Sequence, residues 1–207
     1  IERISAQIIP ALKAGALVIC LDPAAPLAGK VKHRDDLAYF VTHPCHPSVF
    51  SYDVTPEQRR DFFGGIKAPQ AIVNALMHGS EADYERGEAI AKLMYGPVTR
   101  SHRVTVEQMA ILEPALVETF SATLITAMKE ALDIAVEMGV PEEAAREFLF
   151  GHIRIELAII FGFAGFPFSD GAKLAIKNAY DNIFLPDWKD RIMQIEPLKR
   201  SVADITD

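Results

Sequence analysis

The chain has 207 residues, of which 50% are hydrophobic and 24% charged, and its net charge is −7. This composition predicts a globular protein with one large domain or two small ones. The negative charge argues against nucleic acid as the main partner, because nucleic-acid-binding proteins carry basic patches. No uninterrupted apolar stretch reaches the roughly 20 residues that span a bilayer. Only two cysteines are present, Cys20 and Cys45, which is typical of a reducing cytoplasm rather than of a disulfide scaffold.

Residues 1–106 alternate between short apolar strands and helical segments. Apolar residues at helical spacing predict a first helix, which Gly15 ends, and a later helix over Glu81–Met94. The strand candidates are the apolar runs at residues 16–21, 37–41, 71–76 and 102–106. This alternation predicts an α/β domain with a parallel sheet. Because the pattern opens inside a helix at Ile1, we expect the C-terminal part of a Rossmann-like domain, with its N-terminal part missing.

From residue 107 onward the strand pattern disappears. A long helical pattern covers residues 107–138 and is bent or interrupted at Pro114. Pro141, followed by two glutamates, starts another helix that continues to about residue 163. Two more helices are predicted over residues 170–184 and 187–199. The predicted fold class is therefore α/β followed by all-α, with residues 107–207 as a helical domain for substrate binding and dimerisation.

The segment His43-Pro44-Cys45-His46-Pro47 directly follows the predicted strand at residues 37–41. Its prolines end the strand and fix the backbone where two imidazoles occur. Ligands bind at the carboxyl ends of strands in open α/β sheets, and histidine serves as acid, base or metal ligand near neutral pH. This segment predicts a functional site that contains His43 and His46. The alternative is a rigid surface turn that happens to contain histidines.

Two further positions combine ionisable side chains with apolar surroundings. Glu113 stands next to Pro114 among apolar residues, so its carboxylate needs a partner, a metal ion or a proton; alternatively it is an acid stabilised near a helix start. His152 and Glu156 share one face of a helix that is apolar almost all round, as buried helices are. In one interpretation the side chains of His152 and Glu156 line an active cleft. In the other they form a hydrogen bond with each other within the core.

Four motifs carry a resemblance to a known family. They are Leu21-Asp22-Pro23-Ala24-Ala25-Pro26, the His43–Pro47 segment, Val104-Thr105-Val106-Glu107-Gln108-Met109 and Ile111-Leu112-Glu113-Pro114-Ala115. Together with the order of the two halves, these motifs resemble the bacterial oxidoreductases related to D-apionate oxidoisomerase, in the 6-phosphogluconate dehydrogenase-like superfamily. The resemblance implies NAD as cofactor, a sugar-acid substrate and an active site between the halves.

The resemblance has one departure, which concerns the cofactor. The chain has no G-x-G-x-x-G motif, whose glycines and following helix bind the pyrophosphate of a dinucleotide. We therefore expect this chain on its own to bind NAD poorly, and the sequence identifies no cofactor-binding residues. The helical half implies a homodimer, as in the superfamily. Residues 148–168 also carry more apolar surface than one small helical domain can cover, which is typical of an interface.

The candidate residues divide into metal ligands and catalytic groups. His43 and Glu113, joined by His46 in one arrangement, offer nitrogen and oxygen ligands for a divalent metal, zinc or magnesium. His46, His152 and Glu156 are the catalytic candidates, with Glu156 orienting His152 as a proton shuttle. The same side chains can instead bind the sugar acid directly. Two other classes of function stay open: a dimerising helical fragment without activity, and a metal-dependent sugar-acid isomerase or lyase that does not use NAD.

Overall fold

The computed structural model describes residues 2–51 and 53–206. The strands are β1 Leu17–Cys20, β2 Ala38–Pro44, β3 Gln70–His78 and β4 Val98–Arg103. The α-helices are α1 Glu2–Ile8, α2 Ala24–Leu27, α3 Glu81–Met94, α4 Val106–Ala110, α5 Ala122–Glu137, α6 Glu142–Ile160, α7 Asp170–Ile183, α8 Trp188–Ile192 and α9 Ile195–Thr206. Short 3-10 turns cover Ile9–Ala11 and Gln58–Arg60, and a π-helix covers Ile111–Ser121.

The chain divides into two compact units. The first comprises Ile1–Leu116 and Met193–Asp207, and the second comprises Val117–Ile192. The boundary predicted between residues 106 and 107 falls at the start of α4, whereas the observed division lies ten residues later. The C-terminal helix α9 belongs to the first unit because Leu198 and Val202 pack there against Ala110 and Ala115. The predicted class, α/β followed by helices, is confirmed.

The four strands form one mixed sheet in the order β1-β2-β3-β4. β1 pairs with β2 and β3 pairs with β4 in parallel, but β2 and β3 are antiparallel, with His43 opposite Val73. The expectation of a wholly parallel sheet is therefore wrong at this pair. The physical reason is the connection at residues 45–69, whose described residues, all except residue 52, form no helix other than the 3-10 turn Gln58–Arg60. Parallel neighbours need a crossover of a dozen or more residues, usually a helix.

Local hydrogen bonds explain where the elements around the sheet begin. α3 occupies the predicted residues, and its first turn is closed by reciprocal bonds between Ser80 and Asp83. β4 starts four residues before the predicted strand and ends at Arg103, because Thr105 begins the next helix. The Thr105 hydroxyl accepts from the Gln108 amide at 3.1 Å, and the Gln108 side chain accepts from the Thr105 amide at 2.9 Å. This is a capping box, which competes with extension of the strand.

Each face of the sheet carries its own apolar cluster. On one face, Phe40 and Ile72 pack against α3. Gly87 of α3 allows this close approach, since a Cβ atom there would lie 2.5 Å from the Phe40 ring. On the other face, Val41 and Val73 pack against Met109 of α4 in the cluster that also contains Ala75. A further cluster packs Ile9, at the end of the first helical segment, against Tyr39 of β2. Both faces of the sheet are thus covered, and the segment at residues 43–47 follows where β2 leaves the sheet.

The long helix predicted from residue 107 is continuous over Val106–Glu137. The interruption predicted at Pro114 takes the form of the π-helix Ile111–Ser121, a conformation that is frequent at functional sites. By length and composition alone, Val106–Glu137 could cross a membrane, although charged residues such as Glu113 and Glu118 interrupt its apolar sequence. Its first turns, however, contribute Met109 and Ala115 to the core of the first unit. A core helix of a globular domain meets the same criterion.

The second unit contains α5 to α8. Four aromatic residues pack together at one end of it: Phe120, Tyr180, Phe184 and Trp188. None of the described residues of α6 is buried in the single chain, so the prediction that this helix is buried all round is wrong here. The predicted excess of apolar surface is confirmed. The exposed apolar side chains include Phe148, Phe150, Ile160, Phe161, Phe163 and Phe166, each at least 57% accessible.

Candidate active site

His43 lies near the carboxyl end of β2, next to the carboxyl end of its parallel neighbour β1. Its Nδ1 atom is 2.9 Å from the carbonyl oxygen of Leu21, the residue that follows β1. Because a carbonyl only accepts hydrogen bonds, Nδ1 carries a proton and donates it, so that in the neutral imidazole Nε2 holds the lone pair. Nε2 of His43 can therefore accept a proton or bind a cation. The parallel pairing of β1 and β2 is what brings these two residues to one edge.

His46 follows in the loop and lies close to His43. The two rings are edge to face with centroids 6.1 Å apart. The His46 backbone has a φ of 60°, in the left-handed region that a residue with a Cβ atom rarely adopts. Its Nδ1 atom donates to the carbonyl oxygen of Phe63 at 2.9 Å, so that in the neutral imidazole Nε2 again holds the lone pair. Strained backbone of this kind clusters at functional sites.

Glu113 lies in the π-helix, on the helix that covers one face of the sheet. Met109, about one helical turn earlier, packs against Val73, and Val73 is the direct cross-strand partner of His43. Cross-strand partners project from the same face of a sheet. The Oε2 atom of Glu113 is buried. The fold thus assigns His43 and the helix that carries Glu113 to the same side of the sheet.

The structure does not show the metal site that the sequence predicts. Among the residues that the structure describes, no three side chains of His, Cys, Asp or Glu gather in a group able to hold a metal ion. Any ion held by His43 and Glu113 would need its remaining ligands from substrate or water.

His152 and Glu156 both lie on α6 in the second unit, and both are exposed. The Nδ1 atom of His152 donates to the Phe148 carbonyl at 2.8 Å, and the two rings stack with centroids 4.0 Å apart. Within the described part of the chain no hydrogen bond joins His152 to Glu156. The interpretation of this pair as a hydrogen bond within the core is therefore wrong. Phe148, rather than Glu156, orients the His152 imidazole.

Several groups near the two histidines were not identified from the sequence. The acceptors for His43 and His46 are backbone carbonyls 22 and 17 residues away, which no side-chain motif reveals. Asp61 was also missed; its signal is an acidic residue shortly before Gly64-Gly65, a composition typical of a tight turn. Cys20, at the end of β1, is half-buried, and burial together with the charge of Asp22 raises the pKa of its thiol to about 11.

The chain matches known proteins over nearly its whole length. Residues 51–206 match the family described as phosphogluconate dehydrogenase (decarboxylating) C-term. A D-apionate oxidoisomerase of Cupriavidus necator is 48% identical over 206 residues, which cover 100% of this chain and 74% of that protein. A second D-apionate oxidoisomerase, from Rhizobium rhizogenes, is 47% identical over the same shares of the two chains.

Solved structures give the same result. The crystal structure of a semialdehyde dehydrogenase NAD-binding protein from Cupriavidus necator, in complex with calcium and NAD, superposes with a TM-score of 0.95 at 48% identity. The match covers 99% of this chain and 74% of that one. A ketol-acid reductoisomerase at 18% identity, with a TM-score of 0.63 over 98% of this chain and 60% of that one, shares the fold. The chain therefore belongs to the family of NAD-dependent oxidoreductases that carry the phosphogluconate dehydrogenase C-terminal domain and include the D-apionate oxidoisomerases, as its motifs predict.

Proposed function

We propose that this protein is an NAD-dependent oxidoisomerase that acts on a hydroxylated sugar acid of the D-apionate type. Relatives at 47–48% identity over the whole chain carry that name. The observation that carries the proposal is the pair His43 and His46. Each holds its Nδ1 proton on a backbone carbonyl and keeps a lone pair on Nε2, at the edge of the sheet where the carboxyl ends of β1 and β2 meet.

The proposed chemistry requires proton transfer at two stages. Oxidation of an alcohol needs a base for the hydroxyl proton, and Nε2 of His46 is suited to accept it. NAD, when bound, accepts the hydride. The isomerisation needs a further acid and base, for which His152 and Glu156 remain our candidates. The Phe148 carbonyl keeps the Nε2 atom of His152 available as the acceptor.

The candidate ligands are one carboxylate oxygen, from Glu113, and one imidazole nitrogen, from His43, and they leave zinc and magnesium both open. Zinc sites use three or four protein ligands, and the described residues offer no such group. Magnesium and calcium are bound by oxygen, and magnesium usually keeps several waters, with only one or two carboxylates from the protein. The buried Oε2 atom of Glu113 is such an oxygen, and His43 is the second candidate ligand. A bound cation of this type would polarise the hydroxyl and carbonyl oxygens of the sugar acid.

We further propose that the enzyme is a homodimer through its helical unit. The support is the apolar surface around α6, where Phe148 and Phe161 are 69% and 67% exposed in the single chain. Apolar patches of this kind mark interfaces in soluble proteins. A symmetric dimer would cover the same patch on both copies.

The test compares variants at the two ends of the sheet. The intact enzyme is incubated with D-apionate and NAD, and NADH formation is followed for His46→Ala and for the control His78→Ala. His78 is a matched histidine that pairs with Tyr39 at the opposite end of β2. We expect loss of turnover in the first variant and near-normal turnover in the second. Product formation without NAD would favour the isomerase or lyase alternative instead, and normal turnover by His46→Ala would remove His46 from the site.

A further inference from the structure

The loop between β2 and β3 ends in a tight turn at residues 61–68 that is held by one carboxylate. The Oδ2 atom of Asp61 accepts hydrogen bonds from the backbone amides of Ile66, Lys67 and Ala68 at 3.3, 2.8 and 3.0 Å. These bonds, those from Ala68 and Lys67 above all, hold the pKa of Asp61 below its usual range. The carboxylate is therefore ionised at neutral pH and acts as the central acceptor of the turn.

Close packing between Gly64 and Gln70 holds the same turn on its other side. Gly64 has a φ of 73°, and a Cβ atom at this position would lie 2.5 Å from the amide group of Gln70. Gln70 is only 3% exposed, and its Nε2 atom donates to the carbonyl of Tyr95 at 3.0 Å. The turn therefore packs directly on the buried side chain of Gln70 at the start of β3. This contact fixes the position of the turn relative to the sheet.

Phe63 lies between Asp61 and Gly64, and its carbonyl is the acceptor for His46. The Nδ1 atom of His46 lies 2.9 Å from that oxygen, and the two rings meet edge to face at 5.5 Å. The orientation of this carbonyl therefore depends on the turn. If the turn loosened, the His46 ring would lose the acceptor that fixes its tautomer.

We propose that Asp61 is a positioning residue, which holds the Phe63 carbonyl in place and thereby keeps His46 in the tautomer with Nε2 unprotonated. The inference rests on the proposed function, because the orientation of the His46 imidazole matters for catalysis only if His46 acts on the substrate. Asp61 does not touch His46. Its carboxylate orients the imidazole through three backbone amides and one peptide carbonyl, in the way that outer groups elsewhere fix a histidine by a bond to its second nitrogen.

The test uses two substitutions of Asp61 and one control in the same loop. Asp61→Ala removes the acceptor, and Asp61→Asn restores an oxygen of similar shape without the charge. Glu57→Gln is the control, since Glu57 is an exposed carboxylate in the same loop that pairs with the Lys67 ammonium group at 3.0 Å and makes no bond to His46 or Phe63 among the described residues. The measurements are the imidazole nitrogen NMR shifts of His46, and kcat and KM of the intact enzyme as functions of pH.

We expect a single Nδ1-protonated His46 tautomer in the wild type and in Glu57→Gln, and a mixture of tautomers in Asp61→Ala. We expect kcat of Asp61→Ala to fall by roughly 10- to 100-fold with little change in KM, and Asp61→Asn to recover part of the loss. A merely structural role would lower thermal stability and leave the tautomer of the folded enzyme unchanged. Should Asp61→Ala fail to fold, Gly64→Ala displaces the turn from its other side and is expected to show the same tautomer change.

The outcomes separate this inference from the proposed function. If His46→Ala keeps its turnover, the role of His46 in catalysis is lost, whatever the tautomer. If His46→Ala is inactive but the Asp61 variants keep both the wild-type tautomer and the wild-type kcat, the positioning role of Asp61 is overturned.

Discussion

Thr42 donates its hydroxyl hydrogen to the amide oxygen of Asn74 across the antiparallel pair of β2 and β3, and both residues are fully buried. Two further hydrogen bonds extend this contact into a chain. Asn74 donates to the Ser101 hydroxyl at 2.7 Å, and Ser101 donates to the Glu88 carboxylate at 2.6 Å. A shift of one residue in strand pairing would turn every side chain to the other face. This chain of bonds fixes the pairing next to His43 and hence the face on which its imidazole lies.

We predict that Asn74→Ala destabilises the protein strongly. Removing the amide leaves the Thr42 and Ser101 hydroxyls without their buried partner, at a cost of about 2 to 4 kcal/mol in the free energy of unfolding. Asn182→Ala is the control, because Asn182 is exposed on α7 and its side-chain amide donates to the carbonyl of Asn178 within the same helix; its cost should be roughly 0.5 kcal/mol or less. Equal effects of the two substitutions in urea denaturation would show that the network contributes nothing specific.

We predict that His43→Ala and Glu113→Ala abolish turnover of the intact enzyme while leaving its fold and its NAD affinity largely unchanged. In the proposed function each residue would supply a contact to the reacting oxygens or to a cation, and loss of such a contact costs several kcal/mol of transition-state stabilisation. Turnover, melting temperature and NAD affinity are measured on both variants. A structural role would instead lower the melting temperature and leave activity in the folded fraction. Near-normal turnover in either variant would exclude that residue from the site.

We predict that alkylating reagents modify Cys45 before Cys20. Cys45 is exposed between the two histidines, whereas Cys20 is half-buried with a pKa raised to about 11. The thiolate is the reactive form, so modification at both positions should speed up as the pH rises, and Cys20 should stay unmodified at neutral pH. Bound sugar acid should slow the modification of Cys45, which mass spectrometry of the two peptides measures. The Cys45→Ser variant serves as the control, because its labelling reports Cys20 alone. Faster labelling of Cys20 than of Cys45 would contradict the burial that the structure shows.

We predict that the enzyme sediments as a dimer and that Phe161→Glu converts it to a monomer. A charge placed on the apolar surface of the second unit would have to be buried without a partner in the dimer, which is costly. Phe62→Glu is the matched control, because Phe62 is 78% exposed but belongs to the first unit. It should leave the sedimentation coefficient unchanged. A wild-type monomer at micromolar concentration would refute the dimer.

The sequence by itself determined the elements whose stability is local. The helix Glu81–Met94 was predicted at its observed bounds because its apolar spacing and its Ser80–Asp83 cap lie within a few residues of each other. The apolar runs identified β1, β2 and β3, since a buried strand is apolar along much of its length. β4 was predicted only in part, because Val98–Arg103 alternates polar and exposed residues and carries no apolar run. The family also followed from short motifs around His43 and Glu113, which the relatives confirmed.

The tertiary structure decided whatever depends on contacts between distant segments. The direction of β3 relative to β2 was set by a 25-residue connection whose described part holds no crossover helix, and no periodicity in the strands encodes it. His43 and His46 acquired their tautomers from the carbonyls of Leu21 and Phe63. Every residue has a backbone carbonyl, so the residue types in the sequence do not show which carbonyl accepts from which imidazole. Only the folded backbone brings donor and acceptor together, and that is why the sequence predicts which histidines follow β2 but not how their rings are oriented.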